Sequence, residues 1–294
     1  MPLRRAYAAW IVVCVVWSTT YLGIRVAIET IPPFVMSALR WIPAGGLILA
    51  ALKARGERLP PPSAWGSLAV LGFLLIAVAN GALAWAELTI PSGLAALLVT
   101  TTPFWIVGVD AMMPGGEPLT LRTIAGLAIG FAGILFLVGP DLQMGSGGGF
   151  LAGVIVSQIG CAAWAIGSAY ARRRHLEENV LGAAAFEMLF GGVFLLAAGT
   201  LRGEWSILTF NARTVAAYVY LTLVGSIAAF SAYLYALKHL PVSFVSLYAY
   251  INPVIAVVLG TLLLKEPFSW RTAVAGGIVL AGMSLVRRGT PAQS

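Results

Sequence analysis

Runs of about twenty apolar residues, separated by short polar or Pro/Gly-rich breaks, recur along the whole chain, and that is the length an α-helix needs to cross a bilayer. In the first half they fall near 7–24, 34–52, 64–86, 91–109 and 121–138. The second half repeats the pattern at 150–170, 180–201, 214–237, 242–264 and 271–286. Each run predicts one membrane-spanning helix, which makes an all-α membrane protein of ten spans. The longest breaks, 139–149 and 202–213, leave no room for a separate soluble domain.

Composition agrees. The 294 residues are 60% hydrophobic and 10% charged, whereas a soluble domain devotes about a quarter of its residues to charge. A net charge of +7 would suit nucleic acid if it formed a basic face. Instead, Lys and Arg cluster at the ends of apolar runs, so the charge reads as topology and nucleic acid is excluded as a partner. With the N-terminus inside, twelve of the eighteen basic residues lie in cytoplasmic segments, among them Arg4, Arg5, Lys53, Arg172, Arg173 and Arg174. Five lie outside (Arg25, Arg202, Arg213, Lys265, Arg271) and Arg40 falls within a span. That imbalance predicts a multi-pass protein of a bacterial-type inner membrane with both termini cytoplasmic. The opening MPLRR and its apolar run read as the first span, since Trp17 and Tyr21 follow and no small-x-small cleavage site does.

Several chemistries are disfavoured. Cys14 and Cys161 lie inside apolar runs and His175 and His239 in breaks, so neither a disulfide nor a metal site is expected. No G-x-x-x-x-G-K-[ST] motif occurs, which argues against direct ATP use and leaves no cofactor expected. An intramembrane enzyme would need a nucleophile and base or a metal cluster at depth, but no span contains His and no pair of carboxylates shares a face.

The chain also repeats itself. GEPLTLRT, 116–123, nearly recurs as KEPFSWRT, 265–272. At an offset of 147, Cys14 pairs with Cys161 and Trp17 with Trp164; at 150, Pro91 pairs with Pro241 and Pro103 with Pro253. This predicts two homologous units, 1–143 and 144–294. Because each holds five spans, an odd number, the second enters the membrane from the opposite side. Inverted repeats around a central cavity are a recurrent design of secondary transporters. The two GEP/KEP copies read locally as helix starts with Pro in the first turn and Glu117 or Glu266 at the positive end.

Three stretches carry a resemblance to a known family: 17–49 beginning WSTTYLGIRVAIETIPPF, 91–138 beginning PSGLAALLVTTTPFW, and 245–286 containing YAYINPVIAVVLGTLLLKEPFSWRT. They resemble the EamA-type members of the drug/metabolite transporter superfamily. The resemblance implies ten helices, cytoplasmic termini and export of metabolites, and within the family the chain looks most like bacterial amino acid exporters, including those for aromatic amino acids. Unlike the small multidrug exporters of that superfamily, it has no carboxylate in its first span.

The candidate substrate contacts follow from helical spacing. Cys14, Trp17, Ser18, Tyr21 and Arg25 fall at helical spacing along the first span, as Ser157, Cys161, Trp164 and Ser168 do along the sixth. Trp17, Tyr21 and Trp164 are expected as cavity walls. Pro103 and Pro253 lie inside the fourth and ninth spans, where each removes a backbone hydrogen bond and is expected to kink its helix, freeing carbonyls near Val99 and Ala249. Thr101 with Trp105, and Tyr248 with Asn252, stand beside those kinks, and Asn80 adds an amide in the third span. Glu187 is the candidate coupling charge, and Arg40 is expected to snorkel or take a buried hydrogen bond. Gly126-x-x-x-Gly130 and Ala273-x-x-x-Gly277-x-x-x-Ala281 predict close helix packing. The expected function is secondary export of amino acids, aromatic or neutral. The alternative is another small metabolite or drug-like compound, and a monomer in the lipid bilayer suffices for either.

Overall fold

The computed structural model describes residues 2–113, 120–143, 148–174, 179–240, 242–245 and 247–289, and among them every regular element is a helix. Gly116, Glu117 and Pro118 of the first GEP copy, His175 and Pro241 lie outside the described residues. Two long helices open the chain, α1 (Pro2–Ala27) and α2 (Pro33–Ala54). The third run is composite: α3 (Pro62–Leu71), a π-helical stretch (Gly72–Val78) and α4 (Ala79–Ala86). The fourth divides into α5 (Ser92–Val99) and α6 (Thr102–Met112), and α7 (Leu121–Gln143) follows.

In the second half come α8 (Gly148–Arg174) and α9 (Val180–Leu201), then a second composite run of α10 (Ala212–Tyr220), a π-helical stretch (Leu221–Ala228) and α11 (Ala229–His239). The chain ends with the short α12 (Val242–Val245), α13 (Tyr248–Leu264) and α14 (Trp270–Gly289). Among the described residues, seven helices are long and apolar enough to cross a membrane, and three shorter apolar ones (Leu121–Leu137, Ile251–Leu264 and Trp270–Leu285) bring the count to ten. The ten apolar runs are therefore ten helical runs, three of them short.

Lipid tails are as apolar as leucine, so helices in a membrane associate through close packing of small residues. The two tightest pairings, α2 with α9 and α7 with α14, obey this. In the first, a Cβ on Gly45 would come within 2.6 Å of the Ala185 carbonyl oxygen. In the second, a Cβ on Gly282 would lie 2.6 Å from the Gly126 carbonyl oxygen and from the Gly130 nitrogen.

This corrects one expectation. Gly126 and Gly130 do pack, but their partner is Gly282, on the buried stripe with Ala275 and Val279. Ala273, Gly277 and Ala281 face outward, and a Cβ on Gly277 would meet nothing within 4 Å. A four-residue spacing of small residues marks a smooth face, but the partner helix packs on another face of α14, that of Ala275, Val279 and Gly282.

The two halves interleave. α1 packs on α10, α11 and α13 of the second half, while α8 packs on α4, α5 and α6 of the first. Large apolar side chains such as Ile11, Val15, Phe73, Ile155, Val193 and Leu262 remain exposed on the outside, where a bilayer would cover them.

Candidate substrate pathway

The interrupted fourth span positions the first group. Pro103 has no N–H to give the Val99 carbonyl four residues earlier, and the helix stops there, restarting at Thr102 after a turn at Thr100 and Thr101. The run Thr100-Thr101-Thr102 repairs the break with hydroxyls. Thr100 Oγ1 donates to Leu97 O at 2.6 Å, Thr101 Oγ1 to Leu98 O at 2.7 Å, and Thr102 Oγ1 to Val99 O at 2.6 Å. The freed carbonyl predicted at Val99 is thus present and occupied.

Beside the break, Thr101 Oγ1 and Trp105 Nε1 both lie 2.9 Å from Gln158 Oε1 on α8. An indole N–H can only donate, which fixes the oxygen of the Gln158 amide toward α6. Its Nε2 is then left buried with no partner among the described residues, a hydrogen-bond donor inside the helical bundle that they do not use.

The second group is aromatic. Trp17 of α1 stands with its ring centroid 5.1 Å from Tyr233 of α11 and 5.0 Å from Tyr248 of α13, and the two tyrosines are 5.9 Å apart. One turn from Tyr248, Asn252 ties α13 to α1: with its amide nitrogen toward α1 it donates to the Cys14 carbonyl at 3.1 Å and to the Tyr248 carbonyl at 3.0 Å. Trp17 lies roughly opposite Ile11, Val12 and Val15, the exposed stripe of α1, and so faces inward.

Trp164 is 39% exposed, yet it stands about 140° to 180° around α8 from the exposed stripe of Ile155, Ile159 and Ile166. Its exposed surface therefore looks toward the interior of the bundle. Tyr21 is buried in the core that also holds Leu94 and Leu98. Asn80 spends its amide locally, donating to Leu75 O of the π-helical stretch at 2.7 Å. Pro253 lies within the continuous α13, and the interruption of the ninth run comes earlier, after Val245. Glu187 is half-buried on α9, its backbone carbonyl against Gly72. Arg40 takes the buried hydrogen bond, donating from Nε to Ser226 Oγ at 2.8 Å, with its guanidinium 4.4 Å from the Trp41 ring centre.

Two carboxylates of the second half cap helices of the first. Glu204 Oε2 accepts from the Phe34 and Val35 amides at 3.0 and 2.9 Å, at the start of α2. Burial pushes the Glu204 carboxyl up, partly countered by those two N–H donors. Glu266 accepts from the Ser92 amide at 2.8 Å and the Gly93 amide at 3.2 Å, at the start of α5. Each satisfies N–H groups that a helix start leaves without partners, where the helix dipole favours a negative charge. The expectation for KEP is corrected accordingly: α14 begins at Trp270, beyond Pro267, with Ser269 Oγ accepting from the Thr272 amide. Glu266 serves a helix of the other half. A cleft of about 190 Å³ lies beside this contact, lined by Leu94, Val257, Thr261, Glu266 and Thr272 among others, away from the aromatic group.

Residues 4–139 and 151–288 each match the EamA-like transporter family. The chain belongs to that family. It is 37% identical over 288 residues to the uncharacterized inner membrane transporter YedA of Escherichia coli K12, covering 96% of this chain and 90% of the relative. An uncharacterized transporter of Archaeoglobus fulgidus is 25% identical over 275 residues, covering 92% and 93%. A solved crystal structure superposes with a TM-score of 0.66 at 24% identity, covering 96% of this chain and 98% of the other, so the fold is shared.

For an EamA-like transporter, the residues the sequence reading passed over are as informative as those it named. Gln158 had a signal, an amide within the apolar run FLAGVIVSQIGC and next to the selected Ser157. Tyr233 had none, because aromatic residues are common in membrane spans. Glu87 sits in the turn after α4, where a carboxylate looks solvated. It is instead 0% exposed.

Proposed function

We propose that this EamA-like transporter is a secondary exporter of amino acids, aromatic or other neutral ones, working by alternating access between two inverted five-helix halves, 1–143 and 144–294. The observation that carries the reading is the combination of inward-facing aromatic rings, on Trp17, Tyr233, Tyr248 and Trp164, with the uncommitted Nε2 of Gln158. An aromatic side chain gains about 0.5–1.5 kcal/mol from ring contacts beyond its burial. An α-carboxylate is the natural acceptor for an uncommitted amide donor. Thr101, Trp105 and Asn252 would complete a lining that is polar but uncharged, as a zwitterion requires. Arg40, the basic residue read within a span, is committed to Ser226, which argues against nucleotides or sugar phosphates. Another neutral metabolite or drug-like compound fits the same lining and is the alternative.

Inverted halves are supported by the reciprocal packing of α1 on the second half and α8 on the first. The relative's name and the basic residues at span ends support an inner membrane location with both termini in the cytoplasm.

Purified protein in liposomes is expected to move labelled phenylalanine or tryptophan. Trp17→Ala and Trp164→Ala should each lower the initial rate at least about tenfold, the effect of roughly 1.4 kcal/mol lost from binding or from the barrier. Wild-type rates in both variants remove these residues from the pathway. Competition by unlabelled compounds separates amino acids from the alternative.

A further inference from the structure

Glu87 follows α4 at the turn into α5 and is 0% exposed, and neither of its carboxylate oxygens has a hydrogen-bond partner among the described residues. The charged and titratable groups around it are Arg25 and Tyr21 on α1, Arg40 on α2, and Glu266 from the link between α13 and α14. α5 contributes no ionisable side chain. α8 contributes Cys161, whose thiol is turned to the Leu98 carbonyl. Both arginines are committed elsewhere: Arg25 donates to the backbone carbonyl of Glu87 and Arg40 to Ser226. The described ion pairs are Arg172–Asp110 and Arg213–Glu29, and Glu87 is in neither.

A bare carboxylate in such a site costs several kcal/mol, and it sheds that cost most simply by taking a proton. Burial, followed by the negative Glu266, holds the Glu87 carboxyl well above the usual carboxylate range, and Arg25 and Arg40 oppose this only in part. The neighbour matters because Glu266, in the link after α13, is the acid that holds the Ser92 and Gly93 amides at the start of α5, while Gly93 abuts Val257 within α13. A second negative charge beside it would repel that carboxylate.

We propose that Glu87 is a proton-binding site whose occupancy keeps the α5–α13 end of the molecule latched by Glu266. When that end opens, water reaches the carboxyl and the proton leaves for the water on that side. The carboxylate left behind faces Arg25 and Arg40. One proton is taken from that water at each closure and returned to it at each opening, so closure of this end would follow the pH of the compartment it faces. The site rests on alternating access, as proposed above, and not on the choice of substrate. Glu187, the coupling charge expected from sequence, lies half-buried on α9 and has no comparable link to a helix-closing contact.

The test uses the full chain in lipid nanodiscs with spin labels at Leu88→Cys and Trp270→Cys, both exposed and on either side of the latch. The inter-label distance in wild type should be short in acid and gain a longer component as pH rises through the titration of the carboxyl. Glu87→Gln, which mimics the protonated acid, should stay short at every pH. Glu87→Asp should still titrate, with a displaced midpoint, showing that the site tolerates change. Infrared spectra should lose a protonated-carboxyl band in Glu87→Gln. A wild-type distance indifferent to pH, a Gln variant that opens like wild type, or an unchanged band would overturn the proposal. No amino acid flux alongside a pH-dependent distance rejects the substrate and keeps the proton site; flux with a pH-independent distance does the reverse.

Discussion

The hydroxyl of Thr102 gives the Val99 carbonyl the hydrogen bond that Pro103 cannot, at 2.6 Å. The proline and the freed carbonyl were legible in the sequence because their geometry is local. That three consecutive hydroxyls would close the break was not, since a Thr in a span reads equally as a substrate contact. Thr102→Val keeps the shape and removes the donor, so it should destabilise by about 1 kcal/mol, read as a lower thermal unfolding midpoint in detergent. In a Pro103→Ala background the residue at 103 regains its N–H and the same substitution should be near neutral, which a double-mutant cycle measures. Glu87 marks the opposite limit. Its burial comes from α1, α2 and the α13–α14 link closing over a turn, and nothing within a few residues of it in the chain announces them.

At the level of the helix, sequence gave length and identity but not facing. The ten apolar runs are ten helical runs, yet the small-residue stripe expected to pack on α14 points outward while Gly282 packs against Gly126 and Gly130. Gly282→Ala would place a methyl 2.6 Å from backbone atoms that have nowhere to move. It should cost about 3 kcal/mol, the top of the usual overpacking range. Gly277→Ala meets nothing and should be neutral or stabilising by less than about 1 kcal/mol, through helix propensity alone. Thermal unfolding of the two variants side by side decides whether the described stripe or the expected one is the contact. The carboxylate caps at Glu204 and Glu266 were hidden for a related reason: each serves a helix far away in the chain, and cap rules read from sequence look only one turn ahead.

For the molecule as a whole, hydropathy and family resemblance were enough to give an all-helical membrane transporter, because both are summed over hundreds of residues and survive local error. The proposed orientation rests on the distribution of charge, twelve basic residues in segments read as inside against five in those read as outside. A fluorescent protein fused at either terminus should therefore fold and fluoresce in the cytoplasm, whereas an alkaline phosphatase fusion there should be inactive; the reverse result inverts the orientation. The substrate was not legible, as rings and amides that suit an amino acid also suit other neutral solutes.

The two π-helical stretches, Gly72–Val78 and Leu221–Ala228, carry a record of their own. A π turn accommodates one residue more than an α turn, and these begin 149 positions apart (221 − 72) and end 150 apart (228 − 78), within one residue of the 150 that relates the prolines. If the chain is two five-helix units, as proposed above, two independent insertions at matching points would be a coincidence, and a single insertion in an ancestral unit before duplication would account for both. Relatives made of one unlinked unit should then carry the same extra residue in their third span.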